Sequence, residues 1–580
     1  MNDYSGGPNQ ADQGPPLPHP EARDETTRLL SAAAHLSPRF CTLAIREFLT
    51  DPLRAVVPSP GVNDGAVLRE AVAARARRRW RDGVLALLLI AFGLLSPTLL
   101  AGWIAVAILW SGFGLRRRHL DLVLRRRPGA GTYVGALIAF SLVAARGATA
   151  LRPGGTTGSN PDLGDFSSDQ PTQQVSGGVS IVIALLIGLV IAGVLITDRL
   201  LIWSLLTKSF RRGRFSATPK PGEWLRTMGS GSAAGRLLQQ RSAIPRGNTV
   251  VYLDENPFVG SGTPSATWSI AIPLEAADQP NGNGATPQPP KRPPTAFPLL
   301  DLYDHIGGYL SELRRSLPAL SPSYRLSELR EFETLFVPAV DLVTHFGGPA
   351  ASLVLPRPDQ PPLSRIDPQY VKQVAEQPIE WLRYYRGFQV EAWDRDLVVS
   401  VFLHVGADRD MLYFECTPCV LAPIYSGYWA IDLLSERTRL APIMDAIGST
   451  VVLPISIVGR LRHAFRPTKP AAPDKEYTAD RYGARYSLRE LVAQDTLTDY
   501  LKIRDVDRYL MLMQDRIFKA TAEFLDARGI SSKVFREKAN IIQNNAYNNF
   551  DQRNSNFSGS MFGTLNVNHN NPAPAQPASA

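Results

Sequence analysis

Two cysteines separated by two residues form the motif with the most specific chemical meaning in this sequence, Cys416-Thr417-Pro418-Cys419. Thiolates at this spacing can act as a redox dithiol or supply half of the ligands of a zinc site. A structural zinc site needs a second ligand pair, and the sequence contains no second C-x-x-C. A redox pair usually begins a helix, whereas a strand-like segment precedes Cys416 and no helical pattern follows Cys419. We therefore interpret Cys416 and Cys419 as buried, inert thiols and as a weak candidate pair for metal binding.

A glycine-rich turn, Gly260-Ser261-Gly262, follows a second strand-like segment. Such a turn can hold a phosphate, because glycine lets backbone amides approach an anion. No G-K-[ST] accompanies it, and Pro264 opposes a helix directly after the turn. A simple β-turn is therefore the favoured interpretation.

The other polar residues show no catalytic or metal-binding pattern. The eight histidines have neither H-E-x-x-H nor paired spacing, and no serine lies in a G-x-S-x-G elbow. The pairs Asp394/Asp396 and Asp408/Asp410 fall in predicted hairpin turns, where aspartate is favoured for local hydrogen bonding. The sequence thus predicts no catalytic residue, cofactor or metal site, and it argues against an enzyme.

An uncharged apolar run from Gly83 to Leu115 indicates a membrane protein, because it exceeds the ~18 residues typical of a membrane span. Pro97 near its middle divides it into two predicted helices, 83–95 and 98–115. Arginine clusters flank both ends, so the positive-inside rule predicts a hairpin with both ends in the cytoplasm. A re-entrant loop that does not reach the far side is the alternative.

Two later apolar segments complete a predicted transmembrane region, 83–207, with about four helices. Residues 132–151 form a weaker third span, interrupted by Arg146, and residues 179–197 form a clear fourth. The loop at 154–178 contains no basic residue and is expected outside. Four crossings place both termini in the cytoplasm.

Arginines concentrate in the predicted helix Val67–Arg81, immediately before the first apolar run. We expect this segment to contact anionic lipid headgroups, and it serves equally as a topology signal. The net charge of +9 lies largely beside the apolar segments, which favours membrane orientation over nucleic-acid binding. The arginines concerned are Arg75, Arg77, Arg78, Arg79 and Arg81.

Short strand-like runs predict a cytoplasmic α+β domain over 216–465. Residues 388–393, 397–405 and 411–416, joined by short polar turns, predict an antiparallel β-meander. Residues 248–253 and 268–273 are predicted as two further strands.

Periodic apolar residues predict two long helices in the same part of the chain. Apolar residues at three- and four-residue steps run from Leu299 to Leu317 and from Ile503 to Phe524. The second helix could also mediate self-association. The apolar run at 449–458, which contains Pro454, is too short for a fifth span and is interpreted as domain core.

Changes in composition delimit the remaining segments. Besides the transmembrane region and the α+β domain, the predicted segments are a disordered tail (1–25), a cytoplasmic helical segment that is basic near the membrane (26–82), a linker (466–475), a helical segment (476–540) and an asparagine-rich disordered tail (541–580).

Three stretches of sequence carry a resemblance to a known group. They are NTVVYLDENPFVGSGTPSATWSIAI, FQVEAWDRDLVVSVFLHV together with MLYFECTPCVLAPI, and RDVDRYLMLMQDRIFKATAEFLDARGISSKVFREKANIIQNNAYNN. In these stretches the chain resembles a group of uncharacterised actinobacterial multi-pass membrane proteins with a large cytoplasmic C-terminal domain, over residues 60–550. The resemblance implies a location in the bacterial plasma membrane and supplies no site residues.

These features favour a membrane-anchored scaffold, sensor or partner-binding protein that acts through its cytoplasmic domain. A transporter or channel subunit is an alternative, although the predicted spans carry almost no ionisable residue apart from Arg146. A membrane-anchored enzyme without a recognisable motif is another alternative. The expected partners are the lipid bilayer and a protein or a second copy of the chain.

Overall fold

The computed structural model describes residues 25–57, 59–114, 172–241, 247–265, 267–276, 297–314, 326, 329–434, 440–465, 477–494 and 497–543. The predicted third span at 132–151, the linker at 466–475 and nearly all of both predicted tails lie outside these residues.

Helices precede, interrupt and follow the strands. They are α1 (Glu25–Leu36), α2 (Pro38–Ile45), α3 (Asp64–Leu95), α4 (Pro97–Gly114), α5 (Thr172–Ser209), α6 (Trp224–Thr227), α7 (Ala233–Arg241), α8 (Leu299–Arg314), α9 (Ala339–Thr344), α10 (Pro349–Val354), α11 (Pro368–Glu376), α12 (Ser426–Trp429), α13 (Leu440–Val451), α14 (Leu453–Ala464), α15 (Ala479–Tyr482) and α16 (Tyr500–Ala527). A π-helical turn (Arg46–Thr50), a 3₁₀ turn (Glu490–Val492) and a helical stretch at 533–543 complete the helical elements of the described chain.

Strands of the described chain form one mixed seven-stranded sheet. Its order is β1-β4-β5-β6-β7-β2, with β3 also paired to β7. β1 runs parallel to β4 and the other pairs are antiparallel. The strands are β1 (Thr249–Tyr252), β2 (Thr263–Pro264), β3 (Trp268–Pro273), β4 (Leu329–Pro338), β5 (Arg383–Ala392), β6 (Leu397–Ala407) and β7 (Met411–Leu421).

The predicted antiparallel meander is confirmed as β5, β6 and β7, and the two further strands appear as β1 and β3. β4 was not predicted. Glu331 and Glu333 point to the same face of the sheet as Arg386 and form ion pairs with it, at 2.6 and 3.5 Å. Because these acids occupy positions where a buried strand normally carries apolar residues, the alternation that marks a strand is hidden.

The two predicted long helices, α8 and α16, cover one face of this sheet. Their apolar stripes pack with the alternating inward residues of the central strands. Each fully buried Leu or Ile contributes about 1.5–3 kcal/mol relative to exposure. Representative members of this core are Leu302, Ile306, Val401, Leu403, Met513 and Ile517.

A separate helical body lies beside the sheet. α1, α2, the first half of α3 and the end of α5 share a core with Ile424, Ile431, Leu434, Leu488 and Val492. These five residues come from the predicted α+β and C-terminal helical segments, so the body joins parts of the chain that the sequence assigned to different domains.

The apolar helices form a third core. α3 continues without a break from its basic half into the apolar segment, and α4 begins at Pro97. Trp103 of α4 packs edge-on against Phe92 of α3, with 5.3 Å between ring centroids. The predicted break at Ser96-Pro97 therefore separates two helices that contact each other.

The apolar run at 449–458 was interpreted as domain core rather than as a fifth span, and its residues do not join the core of the sheet domain. Residues of α13 and α14 pack instead with Leu85, Ile191 and Leu195 of the apolar helices. The indole nitrogen of Trp103 donates a hydrogen bond to the Val451 carbonyl at 3.1 Å. The length of the run and the proline within it cannot reveal which helices an apolar surface contacts.

In the described part of the chain, one helical segment, Val179–Ser209, is long and apolar enough to cross a membrane. The pair α13–α14, bent by 93°, meets the same criteria when its two helices are taken together. The apolar part of α4 is shorter than a full span. The prediction of four membrane-spanning helices is therefore unconfirmed.

Candidate functional site: an arginine-lined cavity

A cavity of about 270 Å³ lies between α2, α3 and α14. Its last lining residue on α3 directly precedes the apolar part of that helix. We call this space the arginine cavity. Its lining residues are Pro38, Cys41 and Thr42 from α2, Arg75, Arg78, Arg81 and Asp82 from α3, and Ser456, Gly459, Arg460 and Ala464 from α14.

Two arginines of the cavity wall hold the ends of neighbouring helices. Arg78 donates through Nη2 to the carbonyls of Ala34 and His35, at 2.9 and 2.8 Å, at the end of α1. Arg75 donates through Nε to the carbonyl of Ala464, at 3.4 Å, at the end of α14. The last carbonyls of a helix lack backbone partners and carry partial negative charge, so a guanidinium satisfies both needs there.

A third arginine, Arg81, belongs to an ion-pair network that joins α3 to α5. It pairs with Asp82 at 2.8 Å and with Asp198 of α5 at 2.9 Å. Arg77 approaches the same Asp198 carboxylate at 3.4 Å. Because Asp82 and Asp198 are almost fully buried, these charges are stable only as a set.

The fourth arginine, Arg460, differs from the other three. Among the residues that the structure describes, it has no hydrogen-bond or ion-pair partner. Its neighbour Gly459 leaves open space beside the cavity, since a Cβ added there meets no atom within 4 Å. The cavity thus presents an unpaired guanidinium next to room for a ligand.

Arg77 and Arg79 lie on the same helix, and Arg199 pairs with Asp445 at 3.4 Å next to the network. Burial, together with neighbouring arginines, lowers the pKa of the Arg77 guanidinium to about 9, and Asp198 opposes this shift. Burial alone lowers the pKa of Arg79 and is the main cause that raises the pKa of the Cys41 thiol. The surroundings of these groups are therefore both desolvated and rich in positive charge.

The sequence predicted that the five arginines before the apolar run face lipid headgroups. Three of them, Arg75, Arg77 and Arg78, are buried, with 6–7% of each residue exposed, and the contact with headgroups stays a prediction. Sequence reasoning missed Arg460 and Asp198, which come from α14 and α5. In each case the sequence offered one signal, which was a charged residue at the end of an apolar run.

A second buried charge cluster lies behind the cavity. Glu70 accepts from Arg226 at 2.7 Å and faces His35 at 3.0 Å, and all three side chains are at most 1% exposed. Burial lowers the pKa of His35, although Glu70 raises it. This cluster ties α1 and α3 to α6, and it has no opening to a ligand-sized cavity among the residues described.

The cysteine pair occupies the interior of β7, and its side chains point to opposite faces of the sheet. Cys416 packs in the core under α8 and α16, while Cys419 packs with Phe258 and Phe402 on the other face. Residues three apart in a strand always alternate in this way. The two thiols therefore have no common site for a metal or a disulfide, and burial raises the pKa of both.

The glycine turn holds an anion that belongs to the protein itself. The amides of Gly260 and Gly262 donate to Oε1 of Glu490, at 2.8 and 3.1 Å. The amide of Ser487 donates to the other oxygen at 2.8 Å. The backbone amides of the turn are arranged as they would be around a phosphate, but the side-chain carboxylate of Glu490 accepts their hydrogen bonds.

The aspartates of the predicted turns have local roles. Oδ1 of Asp408 accepts from the amides of Asp410 and Met411, at 3.0 and 2.9 Å. Asp396 pairs with Lys502 at 2.8 Å. Across the described residues, no group of three or more His, Cys, Asp or Glu side chains could hold a metal ion.

A family model described as the AbeC-like domain matches residues 267–564 of the 580-residue chain. The match covers β3 to β7, the α13–α14 pair and α16, and it leaves out α1 to α5. No curated protein and no solved structure matches the chain. Because the matched segment is slightly more than half of its length, the chain belongs to the AbeC-like domain family.

Proposed function

We propose that the chain is a multi-pass protein of the bacterial plasma membrane that acts as a scaffold or sensor through its cytoplasmic sheet domain. The observation that carries this proposal is a belt of exposed apolar side chains on α3, α4, α5 and α14. Soluble monomeric proteins rarely expose a contiguous apolar patch of this kind, whereas hydrocarbon covers it without cost. Its most exposed members are Leu87, Ile90, Leu94, Ile108, Leu109, Leu189 and Val458.

The positions of the charged residues support the same assignment. On α3 and α5, the boundary between charged and apolar residues lies at the same level. α3 carries no charge after Asp82, and α5 carries none between Val179 and Ile196. The contact between Arg81 and Asp198 puts these two boundaries side by side. Such a boundary is typical of the surface of a bilayer.

The lengths of the apolar segments favour the re-entrant alternative for the hairpin. At 1.5 Å per residue, the apolar part of α3 is about 20 Å long, less than the ~30 Å hydrocarbon core. Residues 179–197 of α5 reach about 28 Å, enough to cross. If residues 83–115 form a re-entrant hairpin, only 132–151 and α5 span the membrane and the chain crosses it twice. Four spans also give an even number of crossings. The helical body and the sheet domain then stay on the same side.

Cysteine labelling tests this proposal, because the three native cysteines are buried and should not react in the folded protein. We expect Ser159→Cys, in the predicted outside loop, to react with a membrane-impermeant maleimide in intact cells. Ser269→Cys, on the exposed face of β3, should react only after the membrane is opened. Equal labelling of the two variants in intact cells, or release of the chain from membranes by alkaline carbonate, contradicts the proposal.

A further inference from the structure

We infer that the arginine cavity binds the phosphate group of an anionic ligand, either a phospholipid headgroup or a soluble phosphate compound. For the lipid source, the inference rests on the proposed membrane attachment. For the soluble source, it rests on the cavity alone.

Charge balance is the first argument. Four arginines and a single aspartate, Asp82, line the cavity. Excess positive charge is costly in a desolvated place unless an anion neutralises it. The lining residues of the cavity thus carry a net positive charge, which favours an anionic ligand.

The donor geometry is the second argument. A guanidinium has five N–H donors in a planar fork, which suits two oxygens of one phosphate. Arg78 uses a single nitrogen, Nη2, for its two carbonyl contacts. Arg460 comes from α14 and has no hydrogen-bond or ion-pair partner among the residues described. Arginines therefore line the cavity from two helices, α3 and α14.

The position of the cavity favours a ligand that is partly apolar. The cavity ends at Asp82, and Gly83 begins the apolar run on the same helix. Phe465, at the end of α14, is 53% exposed and contacts Gly83. A phosphate in the cavity would thus leave attached acyl chains beside the apolar surface of α3 and α14.

Gly459 provides a way to fill the cavity without removing any charge. Because Gly459 lines the cavity, we expect a leucine side chain at this position to occupy part of the cavity and compete with the ligand. Gly448, in α13, has equally open surroundings but does not line the cavity. Gly448→Leu is therefore the matched control, since it adds the same side chain to a neighbouring helix.

The experiment is native mass spectrometry of delipidated full-length protein titrated with phosphatidylglycerol or phosphatidylcholine. We expect saturable binding of phosphatidylglycerol, weakened about tenfold or more in Gly459→Leu and Arg460→Gln, and unchanged in Gly448→Leu. Arg460→Lys should restore part of the affinity, because it keeps the charge but loses the planar fork. Equal binding of the two lipids, or binding that is insensitive to both cavity variants, overturns the lipid source.

Inorganic phosphate distinguishes the two sources. If phosphate binds on its own and displaces phosphatidylglycerol, the site accepts soluble phosphate compounds. If phosphate does not bind while phosphatidylglycerol does, the ligand is a lipid. The absence of binding by both probes overturns the inference altogether. Alkaline carbonate extraction of the same variants measures membrane attachment independently of ligand binding. Loss of attachment contradicts the proposed function, whereas loss of ligand binding alone concerns the cavity.

Discussion

The arginines of the cavity wall form hydrogen bonds with the ends of neighbouring helices and ion pairs with buried aspartates. Arg78 illustrates this, because one of its nitrogens bridges two carbonyls at the end of α1 while the side chain still lines a cavity. A lysine ammonium at this position could bridge the same two carbonyls, but it would lose the remaining guanidinium donors beside the cavity. The sequence shows these arginines directly before the apolar run that begins at Gly83. It cannot reveal that α14, nearly four hundred residues later, closes over them.

The cysteine pair leads to a prediction at the same scale. Cys416 and Cys419 are fully buried on opposite faces of β7, and burial raises the pKa of each thiol, so little reactive thiolate forms at neutral pH. We expect no reaction of the native protein with a thiol-specific reagent at pH 8. After unfolding, all three cysteines should react.

Ser269→Cys is the positive control for this measurement. Its position is exposed on β3, directly opposite Glu415 of β7, so the added thiol should react in the native state. Rapid reaction of two thiols in the native wild-type protein would show that the pair is accessible and would restore a redox role.

At the scale of elements, the sequence predicted those whose periodicity is complete. α8 and α16 were found because their apolar residues recur at three- and four-residue steps, and the meander was found because short polar turns separate three strand-like runs. β4 was missed because Glu331 and Glu333 replace apolar residues on its inward face, where they pair with Arg386. The arginine cavity was beyond prediction, since its walls come from segments without any shared pattern.

Two glycines in neighbouring strands should respond in opposite ways to the same substitution. A Cβ at Gly387 of β5 would lie 2.5 Å from the ring of Phe332, its partner on β4. A Cβ at Gly406 of β6 would meet no atom within 4 Å. We expect Gly387→Ala to lower the free energy of unfolding by about 1–3 kcal/mol, because Phe332 must move.

Gly406→Ala should raise the free energy of unfolding by about 0.5–1 kcal/mol, because it reduces the freedom of the unfolded chain at a site without a steric conflict. Chemical denaturation of the detergent-solubilised protein measures both. Equal effects of the two substitutions would show that the ring of Phe332 does not contact Gly387 closely.

At the scale of the whole molecule, the two bodies are assembled from interleaved segments. Arg28 of α1 forms a bidentate pair with Asp432, four hundred residues away, at 2.9 and 3.1 Å. Arg485 donates its backbone amide to Glu47 at 3.0 Å. The helical body is therefore incomplete without residues that follow the sheet in sequence, and a boundary near residue 215 divides a shared core.

This interleaving predicts how a truncated protein behaves. A fragment of residues 216–580 retains the sheet but exposes Ile424, Ile431, Leu434, Leu488 and Val492, which pack against α1 to α3 in the intact chain. Each loses about 1.5–3 kcal/mol of burial, so the fragment should aggregate and bind a hydrophobic dye.

Two further experiments make this prediction specific. Co-expression with residues 1–215 should restore a soluble complex in detergent, because it supplies the missing partner surface. The fragment with Ile431→Ser and Leu434→Ser should aggregate less than the unaltered fragment, whereas the same changes in the full-length chain should destabilise it through lost burial. A monodisperse 216–580 fragment that unfolds cooperatively would mean that the sheet domain does not depend on the helical body. In that case the shared core would be an interface between independently stable units.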